Sequence, residues 1–388
     1  MKLLFSILAL AGLAGGAYAA PAAVKSEPAM QRISRQDKPG CAASVSVPDA
    51  PLVFTAQVFA PEPGGEVGAE AARALEALEA VLGQSGSSLD RVVRLNAYVA
   101  GSVAVPAVDA LVAERFARSP VAYTLVRTPL SKAGARVAFE AVGQSSVRSG
   151  SVEISASAAV LPAGGKIFIS GQAEQGADVA AAVKATMAGL HRSLSHLGLK
   201  KSDVVQIKAF VAPFAEHAAA WREIAASFDG GPVPPVVCLE WVSALHTEIE
   251  LVAAAPGLAL KPGENISHAW LPWLVKSPRY CNVAHIAPGT PLIFIGAVDG
   301  GDNADPRTQL KVIFERMGSV LFEAGSSYRN LAKATYYLND PTARALLGDI
   351  RAVYFDPTRP PAASALNVNG LGRAGRAAMV DLVAVPVK

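Results

Sequence analysis

Three acidic residues lie inside otherwise apolar stretches near the ends of three similar parts of this 388-residue chain. They are Glu140 in "VAFEAV", Glu250 in "EIELVA" and Asp381 in "MVDLVA". A carboxylate that is buried without a partner is costly, so each of the three must meet a donor, a cation or water. Two interpretations stay open: a structural hydrogen bond to a neighbouring strand or loop, or contact with a bound ligand or water.

The sequence offers no pattern typical of a metal or nucleotide site. His191 and His196 share a predicted helix, but they stand roughly 140° apart around its axis and cannot chelate one ion together. The cysteines, Cys41, Cys238 and Cys281, form no CxxC pair and are expected to be buried thiols. The motifs GxGxxG, GxxxxGKS/T and GxSxG do not occur. We therefore expect no metal and no cofactor.

Composition and charge limit the class of partner. Hydrophobic residues make up 51% of the chain and charged residues 17%, which is typical of a globular protein. The formal net charge of +3 is small, and Lys and Arg form no long run, so we expect no binding of nucleic acid or acidic lipid. A small molecule is the expected ligand.

Residues 1–20, "MKLLFSILALAGLAGGAYAA", have the pattern of a secretory signal peptide. An early Lys is followed by a short apolar run and a small-x-small end, which predicts cleavage near Ala19 or Ala20. The apolar run is shorter than the roughly 20 residues that a membrane-spanning helix needs. We expect an exported chain, periplasmic or secreted, with no membrane association after cleavage.

The elements that must position the acids come from a block of 14 residues that occurs three times. The copies are "GSSLDRVVRLNAYV" from Gly86, "GLKKSDVVQIKAFV" from Gly198 and "GSSYRNLAKATYYL" from Gly325. Upstream of each glycine, apolar residues follow steps of 4, 3 and 4, which place them on one face of a helix. Because glycine commonly ends a helix, each copy predicts a long helix before the glycine and a strand after it. A second helix and the acidic strand follow.

Each unit also opens with a strand pair, which is clearest in "PLVFTAQVF", "GKIFISGQA" and "PLIFIGAVD". The predicted order is strand, strand, helix, strand, helix, strand, strand, over about 105 residues, which indicates repeated whole domains rather than a solenoid. We expect domains at residues 41–145, 152–255 and 279–388, an exported tail at 21–40 and a linker at 256–278.

Two helices can cover only one face of each sheet, so the other face must pack on something. Three copies in one chain can face one another around a pseudo-threefold axis, as identical subunits do in a closed oligomer. The expected fold class is therefore α+β. It contains three tandem domains, each with a mixed sheet covered by two helices, packed as an intrachain pseudo-trimer. The chain is expected to act as a monomer, and its higher assembly stays open.

The repeated blocks, the "ISGQ" of residues 169–172, and the segments "PPVVCLEW" and "PPAASALNV" resemble the RidA (YjgF-type) reactive-intermediate deaminase family. The resemblance covers nearly the whole mature chain and implies a chorismate-mutase-like fold in three tandem domains. It also implies a ligand site in each cleft between adjacent units. In the family, an Arg there holds the carboxylate of a 2-imino acid, and a carboxylate on the last strand helps to hold the attacking water.

The family Arg is missing in all three units. Its position falls at Ala122, Val236 and Ala363, and no Arg or Lys is next to any of them. Charged hydrogen bonds contribute roughly 1.5 to 3 kcal/mol each, so loss of a bidentate pair would weaken substrate binding about a hundredfold. The candidate water-holding acids are Glu140, Glu250 and Asp381, and no residue is assigned as catalytic beyond that.

The candidate ligand-binding residues are Arg279, Tyr280, Ser170, Gly171, Gln172 and Gly296. Arg279 with Tyr280 is the preferred substitute for the missing Arg, because the family often places a cleft-lining Tyr near this point. The first and second units have Ala42 and Ser157 there, so the three clefts are expected to be unequal. The other basic residues considered, Arg127, Arg373 and Arg376, are expected to be solvated surface charges.

The expected function is that of an exported RidA-like protein. It would bind a small metabolite of carboxylate or imine type in its interdomain clefts, with deaminase chemistry weakened or lost. One alternative is an enzyme that hydrolyses a 2-imino or enamine acid to a 2-keto acid and ammonia in at least one cleft. A second alternative is a structural or interaction protein.

Overall fold

A computed structural model describes residues 29–302 and 305–388 of the chain. The predicted signal peptide lies outside the described residues. The first segment contains β1 (Gln31–Ser34), β2 (Cys41–Val47), β3 (Leu52–Thr55), β4 (Val58–Phe59), α1 (Val67–Gln84), β5 (Val92–Val99), α2 (Val105–Arg115), β6 (Val121–Arg127) and β7 (Val137–Gln144).

The second segment contains β8 (Glu153–Ile154), β9 (Ala158–Leu161), β10 (Lys166–Gln172), α3 (Val179–His196), β11 (Val204–Val211), α4 (His217–Ala226), β12 (Val236–Glu240) and β13 (Thr247–Ala254). The third segment contains β14 (Ile266–Ala269), β15 (Val283–Ile286), β16 (Leu292–Asp299), α5 (Pro306–Glu323), β17 (Leu331–Leu338), α6 (Pro341–Tyr354), β18 (Ala362–Asn367), β19 (Gly370–Leu371) and β20 (Ala378–Ala384).

The three long helices end where the glycines predict. Gly86, Gly198 and Gly325 have φ of 70°, 72° and 70°, which glycine adopts without steric cost. At the end of α1, the N–H of Gly86 donates to Gly83 and the N–H of Ser87 donates to Leu82, and the same pair of bonds recurs after α3 and α5. The predicted helix ends are therefore confirmed in all three segments.

Parts of the predicted tail and linker are ordered as strands. β1 pairs antiparallel with β2, and β14 pairs antiparallel with β15. Both added strands satisfy backbone groups that an open sheet edge would leave unpaired. In the linker, Trp270 packs on the core shared by the three segments, and Trp273 packs on the core of the second segment.

Within each segment, the two helices cover one face of the strands. In the first segment β5 pairs in parallel with β6 and antiparallel with β7, and the other segments repeat this arrangement. Leu75, Leu78 and Leu82 of α1 are fully buried against Val92 and Leu95 of β5. Similar helix-on-sheet cores occur in the second and third segments.

The strands do not form three separate sheets, because each segment pairs with the next. β3 pairs with β9, β10 with β15, and β16 with β2, all antiparallel. The described strands thus join into a 14-stranded sheet and a 6-stranded sheet. The pairing runs from the first segment to the second, from the second to the third, and from the third back to the first.

The sheet faces that the helices leave open pack on one another. Phe54, Phe168 and Phe294 occupy matching places on β3, β10 and β16, and they share one buried cluster. A second shared cluster includes Tyr98 and Phe210, again from different segments. Since each buried aromatic side chain removes roughly 150 to 250 Å² from water, these contacts contribute strongly to holding the segments together.

Candidate functional site

The three acids of the apolar strands lie in the interior, one on each of β7, β13 and β20. Glu140 is surrounded by donors from two segments. Arg94 Nη2 lies 3.2 Å from Oε1, and Lys208 Nζ of the second segment lies 3.0 Å from Oε2. The Tyr98 hydroxyl and the Gln206 amide also donate to this carboxylate. Every oxygen of Glu140 therefore has a charged or polar partner.

The other two acids are also partnered. Glu250 accepts from Lys333 and Ser364, both of the third segment. Asp381 accepts from Tyr337 at 3.1 Å. We call Glu140, Glu250, Asp381 and these partners the polar core; its ion pairs join the first segment to the second and the second to the third.

Ionisation within the polar core is unequal. Burial opposes the charge on Glu140, but Lys208 and Arg94 outweigh it and lower its pKa to about 2. Burial raises the pKa of Asp381, although Lys208 and Arg94 act in the opposite direction. Glu140, Glu250 and Asp381 line neither of the two cavities described below. Their contacts match the first of the two interpretations that the sequence left open, a structural hydrogen bond.

Two cavities lie between segments. Cavity A, of about 310 Å³, lies between the third segment and the first, and residues of β2, β6, β16 and α5 line it. Cavity B, of about 350 Å³, lies between the second segment and the third. Its lining is mostly polar and consists of Gly171, Glu248, Arg279, Tyr280, Arg344, Ala345, Leu347, Gly348, Arg351, Ala363, Ser364 and Ala365.

Glu248 is the acid of cavity B. It lies on β13 opposite Phe210 of β11, two residues before Glu250 and therefore on the same face of the strand. Burial, reinforced by repulsion from Glu250, raises its pKa to about 7, although Lys333 acts against the shift. The carboxyl lies so close to Gly171 that a Cβ at that position would overlap it. A carboxyl group with such a pKa can donate or accept a proton near neutral pH.

Three arginines face this acid across cavity B. Arg344 and Arg351 come from one face of α6, and Arg279 comes from the loop before β15. Arg279 Nη2 lies 3.3 Å from Asp349 at the surface, and Arg344 donates to the Ala365 carbonyl at 3.1 Å. Arg279 and Arg344 are exposed to solvent.

Arg351 is the buried member of this set, with 9% of its surface exposed. Its guanidinium carbon lies 5.2 Å from the centre of the Tyr336 ring, and its Nε has no hydrogen-bond partner among the residues that the structure describes. Burial lowers its pKa, but an Arg stays protonated in proteins. Cavity B therefore contains a buried cation without a carboxylate partner, which is a favourable place for an anion.

The structure brings part of the candidate set together. Gly171, Arg279 and Tyr280 line cavity B beside Ala363, one of the positions where the family Arg is missing. Ser170 is buried next to the cavity, where its hydroxyl donates to the Cys281 carbonyl at 2.6 Å and accepts from the Ala363 N–H at 2.8 Å. It joins the two segments and does not line the cavity.

The remaining candidates lie elsewhere. Gln172 is buried and donates to Ser193 at 3.1 Å, and Gly296 lines cavity A. Cavity A is also lined by Ala42 and Arg373, which the sequence singled out, whereas Ala122 lines neither cavity. Arg127 and Val236 line neither cavity.

Arg376 is not the solvated surface charge that the sequence suggested. It is buried, lines cavity A and forms ion pairs with Asp299 and Asp302 at 3.3 and 2.7 Å. The loop before β20 contributes Gly372, Arg373 and Arg376 to the lining of cavity A. The two carboxylates compensate the cost of burying the Arg376 charge.

Sequence reasoning missed Glu248, Arg344 and Arg351. The signal for Glu248 was its spacing of two from Glu250, since alternate residues of a strand share a face. The signal for the arginines was their spacing of seven on a predicted helix, with Gly348 between them on the same face. Each spacing predicts that the residues lie on one face of their strand or helix. Neither predicts which part of the protein that face contacts.

Only the second segment has an acid at this place. Because Asn96 pairs with Glu140, and Thr335 pairs with Asp381, the positions that match Glu248 are Ala138 and Met379. Met379 lines cavity A. The two cavities therefore differ in whether an acid occupies this position of the last strand.

Among the described residues, the cysteines form neither reactive thiolates nor, with the histidines, a metal site. Cys41, Cys238 and Cys281 are free and buried, and burial raises their pKa values to about 11, 12 and 12, so the thiols stay protonated. Across the described ranges, His, Cys, Asp and Glu form no cluster that could hold a metal ion. None of the helices in those ranges combines the length and apolarity required to cross a membrane.

Comparisons with known proteins find similarity in structure only. No protein-family model and no curated protein matches the chain. A YjgF-family protein from Neisseria meningitidis is 18% identical, with 32% of this chain and 96% of that chain covered and a TM-score of 0.24. A member of the YjgF/YER057c/UK114 family from Mycobacterium tuberculosis is 20% identical, with 25% and 83% covered and a TM-score of 0.23. Yeast Mmf1 is 15% identical, with 30% and 99% covered and a TM-score of 0.24. The described part of the chain has a mixed α+β architecture.

Proposed function

We propose that this chain is an exported RidA-like protein that binds a small metabolite carrying a carboxylate in cavity B. In this proposal the three segments are tandem domains, near residues 41–145, 152–255 and 279–388, closed as an intrachain pseudo-trimer. The antiparallel pairs β3 with β9, β10 with β15 and β16 with β2 support the closure. Export rests on the pattern of residues 1–20.

One observation carries the binding proposal: Arg351 is buried in the lining of cavity B and has no carboxylate partner among the described residues. A guanidinium offers paired donors that match a carboxylate. Arg344, two turns earlier on the same face of α6, adds a second positive charge to the lining. In cavity B these arginines substitute for the family Arg that is missing at Ala363.

Glu248 favours a second candidate function, hydrolysis of a 2-imino acid in the same cavity. A carboxyl with a pKa of about 7 is partly protonated at neutral pH, so it can protonate the imine nitrogen while a water oxygen bonds to the imine carbon. The electron pair of the C=N bond moves to nitrogen. The added water loses one proton to the Glu248 carboxylate, which passes it to nitrogen as the second proton. The C–N bond then breaks with its electron pair on nitrogen, the hydroxyl oxygen forms the C=O bond as its proton returns to Glu248, and ammonia and the 2-keto acid are released.

Binding is tested by calorimetry with 2-oxobutyrate, a stable analogue of a 2-imino acid. We expect Arg351→Met to weaken binding at least about tenfold, since it removes a charged hydrogen-bond pair. The matched control is Arg222→Met on α4, an exposed Arg that lines neither cavity. Absence of binding by the unaltered protein, or equal binding by the two variants, would count against the proposal.

Hydrolysis is tested separately with 2-iminopropanoate generated in solution. The enzyme function requires a rate above that of buffer, and Glu248→Gln must remove it while 2-oxobutyrate binding persists. A rate equal to buffer together with intact binding rejects the enzyme and keeps the binding protein. Failure of both assays favours the structural or interaction role.

A further inference from the structure

We propose that Glu248 and Glu250 act as a pair that holds one proton between them. Lys333 and Ser364 of the third segment are the positioning residues that keep this proton on Glu248, the member that lines cavity B. The inference rests on the proposed hydrolysis for its functional meaning, because that reaction needs a protonated acid in the cavity. The state of the pair can be measured without a ligand, so the two proposals can fail separately.

The two acids lie side by side on one face of β13. One residue separates them, and alternate residues of a strand project from the same face. Two carboxylates at such a spacing repel each other, so the pair holds its first proton more strongly than a single acid would. Burial and then repulsion from Glu250 raise the pKa of Glu248 to about 7. The first and third segments have Ala138 and Met379 at the matching position and cannot form such a pair.

The third segment supplies the contacts of Glu250. Its Oε2 accepts from the Lys333 ammonium and from the Ser364 hydroxyl, and both Glu250 and Lys333 are almost completely buried. A carboxylate beside a cation keeps its negative charge more readily than one without such a partner. Glu250 is therefore the ionised member of the pair, and the proton stays on Glu248. Together with Lys333 the two acids then carry no net charge, which limits the cost of burying them.

Ser364 connects the two acids. It lies on β18 in the lining of cavity B, donates to Glu250, and is also joined to Glu248 by a hydrogen bond. Lys333 Nζ lies 3.3 Å from its oxygen. A hydroxyl has one proton to donate and two lone pairs, so an oxygen that donates to Glu250 can accept from Lys333 and from a protonated Glu248. The bridge therefore matches the arrangement in which Glu248 carries the proton.

The other titratable groups that face Glu248 across the cavity are mostly basic. They are Arg279 and Tyr280 of the loop before β15, and Arg344 and Arg351 of α6. On β11, Lys208 lies opposite Glu250 in register, but its ammonium is bound to Glu140. A positive charge nearby favours the ionised form of an acid, so these basic groups oppose the protonation of Glu248. Its protonation therefore needs the negative charge of Glu250 in addition to burial.

Carbon NMR of the ligand-free protein, labelled at the glutamate carboxyl groups, tests the pair. The signals of the two acids are assigned by their absence in Glu248→Gln and in Glu250→Gln. In the unaltered protein we expect the Glu248 signal to titrate at about pH 7, while the Glu250 signal stays at its ionised position over the same range. Glu250→Gln removes the negative charge and should lower the titration midpoint of Glu248 by at least about one pH unit.

Lys333→Met should act in the opposite direction. It removes the cation that keeps Glu250 ionised, so the midpoint of Glu248 should rise, and the Glu250 signal should now move with pH because that acid takes a share of the proton. Ser364→Ala is a smaller change with the same expected direction, and it keeps the test informative if Lys333→Met fails to fold. The matched control is Glu70→Gln on α1, which removes another buried, ion-paired glutamate and should leave the midpoint unchanged.

A midpoint of Glu248 that stays in place in Glu250→Gln would overturn the inference. Titration of both acids in the unaltered protein would overturn it as well, because the proton would then not be confined to Glu248. Hydrolysis is judged separately, by the rate with 2-iminopropanoate. A rate equal to buffer rejects the reaction proposed for cavity B, whereas the NMR titration alone decides whether the two acids form the pair.

Discussion

Lys208 Nζ lies 3.0 Å from Glu140 Oε2, and both side chains are almost completely buried, although they belong to different segments. The same relationship recurs where Lys333 of the third segment meets Glu250 of the second. Asp381 of the third segment accepts from Tyr337 of its own segment instead. The segments are therefore joined by charge at two of three places, and these contacts can be broken one at a time.

Replacing Lys208 by methionine should strongly destabilise the protein. The variant leaves Glu140 buried with Arg94 as its only ion-pair partner among the described residues, and loss of one member of a buried pair costs about 3 to 5 kcal/mol. Urea unfolding followed by circular dichroism measures the change. The control is Lys201→Met, which removes the surface pair of Lys201 with Asp229 and should cost less than about 1 kcal/mol. Similar losses in the two variants would contradict a structural role for the polar core.

Glu140 should make the protein sensitive to acid. Its pKa in the folded state is about 2, below its ordinary value of 4.5, so the folded state binds fewer protons than the unfolded state between these values. The stabilisation is complete above about pH 4.5 and is lost as the pH falls toward 2. Glu140→Gln should therefore flatten the fall of unfolding free energy between pH 5 and pH 3, relative to the unaltered protein.

Asp381 provides a contrast of opposite sign. Its pKa is raised in the folded state, chiefly by burial, so its ionisation destabilises the fold as the pH rises above its ordinary value of 3.8. Asp381→Asn should remove this loss rather than an acid-induced one. If both variants changed the pH dependence in the same direction, the assignment of charges in the polar core would be wrong.

Gly171→Ala should move the carboxyl of Glu248 without unfolding the protein. The added Cβ would overlap the far end of that side chain, which can rotate away, rather than a backbone atom. We expect unchanged circular dichroism and weaker binding of 2-oxobutyrate, measured by calorimetry. Gly83→Ala on α1 is the control, because its Cβ would meet nothing and should raise stability by up to about 1 kcal/mol. Normal ligand binding by Gly171→Ala would show that the position of Glu248 does not matter.

Binding of 2-oxobutyrate should weaken as the pH rises through about 7. Burial raises the pKa of Glu248 to about that value, so higher pH adds a negative charge to cavity B next to an anionic ligand. Calorimetry between pH 6 and pH 8 measures the dependence. Glu248→Gln should bind the ligand with little change over this range; a dependence that survives in the variant must come from another group.

The elements could be predicted from the sequence because local signals agreed. The 4, 3, 4 spacing of apolar residues before Gly86, Gly198 and Gly325 marks the helices, and the glycines mark their ends. The strands that follow contain β-branched or aromatic residues in all three copies. Because all three copies have two helices, the sequence also indicated that one face of each sheet is not covered by helices and must pack elsewhere. Phe54, Phe168 and Phe294, which lie on these faces, pack together.

The site could not be predicted in the same way, because it depends on contacts between segments. Glu250 drew attention through its match to Glu140 and Asp381, yet the residue that reaches cavity B is Glu248, which has no acidic counterpart. Arg351 lies on a helix that the sequence predicts, but whether its side chain lines a cavity depends on which face of α6 packs against the second segment. Local sequence patterns do not predict which surfaces of different segments pack together.

The closing pair of β16 with β2 has an evolutionary consequence. In a ring of three identical subunits, symmetry places each substitution at all three interfaces. A substitution therefore cannot alter one interface and leave the other two unchanged. In this single chain, where β3 pairs with β9, β10 with β15 and β16 with β2, each junction is formed by different residues and can change alone. One junction can lose its acid to Met379 while another retains Glu248, so each can specialise by single substitutions.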